Sequence, residues 1–261
     1  MRPFYMLLVA GAGIALASTG GGNRARADAT TQRVDPRADE LLRKMSTNLS
    51  QTKAFQFDAS HTTEVVTKDK QNLQIRAESS VSVERPNKLR SDRSGPLADV
   101  TFYYDGNNVT IYGKRANLYA TTKAPGNLDE TIDFTRDRLS LDAPAADLLN
   151  SDPYKVLMDD VVSGVYVDEE PIGDRLCHHL AYRGTATDWQ IWIEDSPQAL
   201  PCRFEITSKR VAGAPEFAVE MSNWKTEPAL PANLFVFTPP PESEKVDFLT
   251  APRPQPAPTG R

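Results

Sequence analysis

The sequence predicts a mainly β (α+β) fold, a large curved antiparallel half-barrel of about eleven strands, with an N-terminal helix and a central helical insertion across the concave face. Three observations carry this. Apolar and polar residues alternate with period two over long stretches, a helical period surfaces only near the start and the middle, and strands never alternate with helices as a parallel sheet requires. A sheet this long twists and curls, and its dry face then needs helices, a ligand, or both to fill it.

The elements follow in order. "DPRADELLRKMSTNLSQ" reads as a helix capped by Asp35 with Pro36 in its first turn, and Ala38, Leu41, Leu42, Met45 and Leu49 form its apolar stripe. "KAFQFDASHTTEVV" alternates Phe55, Phe57 and Ala59 against polar neighbours. In "NLQIRAESSVSVERP", Leu73, Ile75, Ala77, Val81 and Val83 face one way, and Gln74, Arg76, Glu78, Ser80, Ser82 and Glu84 face the other. "FYYDGNNVTIYG" folds back at Asp105-Gly106 as a hairpin, and "NLYATTK" adds a strand.

From Asn127 to Asp160 the period lengthens and β-branched residues thin out. Asn127 with Glu130 has the spacing of a helix cap, and Asp152-Pro153 that of a second helix start. Strands resume with "VSGVYVDEE", "LCHHLAYR", "DWQIWIED", "PCRFEITSK" and "EFAVEMSNWK", and "NLFVF" is expected as a last short strand.

The ends are different in kind. Residues 1–27 combine an early Arg, an apolar run of about a dozen residues and an Ala25-Arg26-Ala27 site, the signature of a secretory signal peptide. The run is too short and too broken by glycine for a membrane helix. Residues 28–238 are expected to form a single domain, and residues 239–261, with seven prolines, an extended or disordered tail. Without residues 1–27 the chain carries 27 basic and 35 acidic residues, a formal charge of −8, with no basic stripe. That balance excludes nucleic acid and anionic membrane surfaces as electrostatic partners.

The densest chemistry lies in "CHHLAYRGTATDWQIWIED". Strand geometry sends Cys177 and His179 one way and His178 the other, so adjacent histidines cannot share a metal. No H-E-x-x-H, C-x-x-C or G-x-S-x-G spacing occurs, so no metal, cofactor or catalytic residue is assigned. An exported chain with two thiols usually pairs them. A simple meander would nevertheless hold the Cα atoms of Cys177 and Cys202 roughly 10 Å apart, where a disulfide needs less than about 7 Å. A bend through "SPQALP" would close that gap, so a bridge and two separate buried thiols both stay open.

Several segments resemble the domain-of-unknown-function 2092 family of exported bacterial proteins: "ADELLRKMS", "RPNKLR", "FYYDGNNVTIY", "LLNSDPY", "CHHLAYR" with "DWQIWIED", "PCRFEITSK" and "FTPP". The family is similar in expected architecture to the periplasmic carriers that move lipoproteins to the outer membrane. The resemblance implies a curved half-barrel whose helices lie across the concave face and hold acyl chains there.

The expected function is a non-catalytic periplasmic carrier or sensor, a monomer, that binds a lipid, acyl chain or other apolar small molecule in the concave face. Leu148, Leu149, Tyr154, Leu157 and Met158 are the lining residues it implicates, against ordinary core packing for each. The alternative is an interaction or regulatory domain for an envelope protein. Trp192 and one of Tyr103 or Tyr104 would then form its exposed contact patch. A hydrolase would rest on scattered carboxylates and histidines alone.

Overall fold

The computed structural model describes residues 33–141 and 143–248. The expected signal peptide, residues 1–27, lies outside the described residues, as does the tail beyond 248. In chain order the strands are β1 (Arg33–Val34), β2 (Ala54–Val66), β3 (Asn72–Glu84), β4 (Lys88–Ser94), β5 (Val100–Tyr104), β6 (Asn108–Gly113) and β7 (Leu118–Lys123). They continue as β8 (Val161–Ile172), β9 (Arg175–Gly184), β10 (Thr187–Glu194), β11 (Pro201–Ser208), β12 (Glu216–Thr226) and β13 (Glu244–Lys245). The helices are α1 (Pro36–Gln51), α2 (Leu128–Leu139) and α3 (Pro153–Met158), with one 3-10 turn at Ala146–Leu149.

All the strands join one curved, open sheet in the order β1-β8-β9-β10-β11-β12-β2-β3-β4-β5-β6-β7-β13. Two antiparallel meanders, β2–β7 and β8–β12, meet where β12 pairs with β2. Among the described strands only the outermost, β1 and β13, pair in parallel. This order dictates where the helices go. The strands β7 and β8 are consecutive in the chain but lie near opposite ends of the sheet, so the connection between them must cross it. It crosses on the dry face, as α2, the 3-10 turn and α3.

Local chemistry fixes each piece. Asp35 caps α1 through its Oδ1, which accepts from the Arg37 N–H at 2.8 Å, and Leu42, Met45 and Ala38 are fully buried against the sheet. Asn127 caps α2 by accepting from the Glu130 N–H at 2.8 Å, and Asp152 caps α3 by accepting from the Lys155 N–H at 3.0 Å. The Asp105-Gly106 turn holds because Asp105 Oδ1 accepts from Asn107 and Asn108, while Gly106 takes φ +96°. That value lies in the region a side chain disfavours.

Three details differ from the sequence reading. Segment β4, "KLRSDRS", escapes a hydrophobicity pattern because only Leu89 is apolar, yet it pairs with β3 and β5 along most of its length. "NLFVF" is a pair of turns, with Leu234 N–H donating to Pro231 O at 3.0 Å and Val236 N–H to Asn233 O at 3.2 Å. Its role is packing: Phe235 is buried, and Phe237 covers Tyr103, Tyr112 and Tyr119 at 5.4, 5.8 and 5.0 Å between ring centres. The third is the beginning of the proline-rich segment, residues 239–248, which lies against the sheet. The edge of β7 still has hydrogen-bonding groups to satisfy, and "EKV" between Pro241 and Pro252 supplies partners. Val246 N–H donates to Tyr119 O at 2.8 Å.

Cys177 and Cys202 are bonded, with their Cα atoms 6.9 Å apart. The register of β10 against β11 shifts between Trp192 and Ile193, so Cys202 is the extra residue of a bulge. That bulge brings together two strands that a regular meander would keep apart.

Candidate functional site

Between the inner face of the sheet and the crossing helices lies a cavity of about 260 Å³. Its sheet wall is built by alternation: Phe55, Phe57 and Ala59 from β2, Val81 from β3, and Leu89 from β4. Phe102, Ile111, Val219 and Met221 extend the wall to both sides. The opposite wall comes from α2 and the segment after it, through Leu128, Ile132, Leu141, Leu148 and Leu149.

One lining residue depends on a defect in the ladder. Met221 faces inward, so strict alternation would turn Trp224 outward. The register of β12 shifts between Ser222 and Lys225, Asn223 takes φ +53°, and the indole is re-aimed into the cavity. There it stacks on Phe57 at 4.4 Å and donates through Nε1 to Pro201 O at 3.1 Å.

Of the residues that the sequence implicated, Leu148 and Leu149 line this cavity. Tyr154, Leu157 and Met158 do not, because α3 packs on α1 and the neighbouring core instead. Tyr154 N–H donates to Ser46 Oγ at 2.8 Å, its hydroxyl donates to Asp39 at 2.5 Å, and the Arg43 guanidinium lies 3.8 Å from its ring centre. Burial pushes the Asp39 carboxyl up, but hydrogen bonds from Tyr154 and Arg43 outweigh it and hold the group below its ordinary range.

The cavity cover is tied down at one corner. Arg85, in the turn between β3 and β4, donates from Nη1 to Leu149 O at 2.8 Å, and Leu128 N–H donates to Pro86 O at 2.9 Å.

A polar patch interrupts the apolar wall. His61 on β2, Ser79 on β3 and Arg93 on β4 occupy three adjacent strands and all line the cavity. His61 Nε2 lies 2.9 Å from Ser79 Oγ, while His61 Nδ1 and Arg93 Nε are buried without a hydrogen-bond partner among the described residues. Burial, with the Arg93 charge adding to it, pushes the His61 pKa down to about 4. Burial likewise lowers that of Arg93. The sequence held one sign of this patch, since Arg93 is in phase with inward-facing Leu89 two strand periods earlier.

The cluster around Cys177 is structural. His179 stacks on Trp192 at 4.2 Å, and Glu170 accepts from the Trp192 indole. His178 lies 3.3 Å from carboxylate oxygens of both Glu169 and Asp195. Among the described residues no group of three or more His, Cys, Asp or Glu side chains is placed to hold a metal ion. Nor does the proposed aromatic contact patch form: Trp192 and Tyr104 are buried and Phe237 covers Tyr103, because each ring found a packing partner inside the chain.

The fold and site together define an open curved antiparallel sheet roofed by helices over an apolar cavity. The chain belongs to the DUF2092 family, described as "Predicted periplasmic protein", whose model matches residues 38–249. Among solved structures it is similar to an uncharacterized conserved protein from Thermus thermophilus, at 12% identity and TM-score 0.48, covering 81% of this chain and 99% of that one. It is also similar to MucB, at 13% identity and TM-score 0.47, covering 78% of this chain and 64% of that one. A third is the Mycobacterium tuberculosis lipoprotein LppX, at 13% identity and TM-score 0.43, with 75% and 98% covered. No curated protein matches.

Proposed function

We propose that the protein holds an apolar ligand, such as a lipid acyl chain, in the cavity between the inner sheet face and the α2 segment, as a periplasmic carrier or sensor. The cavity itself supports this reading most. Its walls are leucine, valine and aromatic side chains, and binding an apolar molecule there removes hydrocarbon surface from water on both partners. A core designed only for stability would be filled, because unfilled apolar space forfeits packing.

The test uses N-phenyl-1-naphthylamine, a neutral apolar dye whose emission rises in a dry pocket. The folded protein should take it up saturably, and Val81→Trp, which fills the cavity from its floor, should abolish uptake while the circular dichroism spectrum stays native. Absence of saturable uptake by the wild-type protein contradicts the proposal.

A second reading, contact with an envelope protein, is favoured by one observation. Val162, Val165 and Val167 of β8 and Leu176 of β9 are about half exposed at one end of the sheet. Serine at Val162 and Val165 should then abolish capture of the partner and leave dye uptake intact.

A further inference from the structure

Three features of the cavity wall remain unexplained by apolar binding alone. Arg93 is half-buried and, among the described residues, its side chain has no carboxylate partner and its buried Nε no hydrogen-bond acceptor. His61 beside it has one ring nitrogen without a partner. Among the described residues the cavity lining contains His61, Arg93 and Arg136 but no Asp or Glu. Of these bases Arg136 is already committed, to Asp147 at 3.0 Å and Asp133 at 3.6 Å.

An uncompensated buried charge costs stability, and a fold that needed only to close its core would place an apolar residue at this position. The neighbouring inward positions show that alternative in use: Leu89 on the same strand, Val81 on β3 and Ala59 on β2. The hydrogen-bonding arithmetic also points outward from the protein. With the Ser79 hydroxyl donating to His61 Nε2, the imidazole proton sits on Nδ1, and Nδ1–H joins Arg93 Nε–H as a second unused donor. Two unused donors, one of them on the guanidinium itself, at the edge of a hydrocarbon-lined space, match an oxyanion attached to an apolar body.

We infer that the ligand is a single-chain amphiphile with a compact oxyanion head, carboxylate or phosphate, whose head sits on Arg93 with His61 and Ser79 beside it and whose chain lies along the apolar wall. This rests on the reading of the cavity as an apolar binding site. It adds polarity and direction: the head lies at the β2–β4 patch and the chain extends under α2.

The experiment titrates the folded protein calorimetrically with dodecanoate, dodecyl phosphate and methyl dodecanoate, all below their aggregation concentrations. Wild-type protein should bind at least one of the two anions about tenfold or more tighter than the neutral ester, the scale of a charge-assisted hydrogen bond. Whichever anion leads identifies the head. Arg93→Gln should abolish the preference, bringing anion affinity down to that of the ester, whereas Arg93→Lys should keep part of it. As a second readout, an anion should raise the His61 pKa from about 4, and the ester should leave it in place. Should Arg93→Gln fail to fold, the His61 titration in wild-type protein decides alone. Equal affinity for anions and ester, or no response of His61, overturns the inference and leaves the apolar cavity standing. Failure to bind any of the three overturns both.

Discussion

His61 Nε2 lies 2.9 Å from the Ser79 hydroxyl, and its Nδ1 has no hydrogen-bond partner among the described residues. The ring is held neutral by burial and by the Arg93 charge, with a pKa near 4 against an ordinary 6.5. In the unfolded chain the same ring takes up a proton as pH falls through about 6.5. Between those two values the unfolded state binds more protons, so His61 causes stability to fall as pH drops from about 6.5 toward 4. Urea unfolding of wild type and His61→Gln across that window isolates this contribution from the carboxylates, which both proteins share. The variant should lose less stability, by on the order of 2 kcal/mol at the acid end. Parallel curves would show that the ring is not desolvated.

Arg93 presents the opposite balance between function and stability. Replacing it by methionine keeps much of the length of the side chain and removes a half-buried charge that no carboxylate among the described residues answers. Without ligand, Arg93→Met should be more stable than wild type by about 1 kcal/mol. A clear loss of stability would mean that the guanidinium has a structural partner in solution.

Gly164 and Tyr182 form a tight approach between neighbouring strands, under α1. A Cβ at Gly164 would sit 2.5 Å from the Tyr182 ring, which stacks on Trp189 at 4.1 Å and donates its hydroxyl to Ala38 O at 3.0 Å. The ring has no free direction to move. Gly164→Ala should therefore cost about 1–3 kcal/mol by overpacking, and Tyr182→Phe about 1 kcal/mol for the lost hydrogen bond. Chemical denaturation measures both, and an unperturbed Gly164→Ala would show that Tyr182 has a second position.

The Cys177–Cys202 bridge closes a loop with a sequence separation of 25. A loop of that size should contribute about 3 kcal/mol by restricting the unfolded chain. The double Cys→Ser variant should unfold at correspondingly lower urea while dye uptake under native conditions persists, because the bridge lies with Trp192 and Ile172, away from the cavity. Loss of uptake in a folded variant would tie the bridge to the site.

Much of this fold can be read from residue alternation. Strand β3 shows its alternation from Ala77 to Val81, though Leu73 at its start is exposed, and Asp35, Asn127 and Asp152 announce their helices because capping is local chemistry. What stays hidden is non-local. Segment β4 carries one apolar residue and is a strand because β3 and β5 leave it a place. "NLFVF" looks like a strand but folds into turns, since Phe235 and Phe237 gain more from packing than a ladder would give. Trp224 enters the cavity only through a bulge, and Tyr154 turns away from it through a hydroxyl contact with Asp39, 115 positions earlier. The polar patch shares that origin, since His61, Ser79 and Arg93 become neighbours only once the register of three strands is set.

The measurement that bears most directly on the proposed binding function is native mass spectrometry of the protein purified from the cell envelope, followed by organic extraction. The account predicts a bound mass that is released on extraction as an acyl-chain compound. A clean ligand-free mass, with no uptake of added lipids or fatty-acid probes, would contradict it.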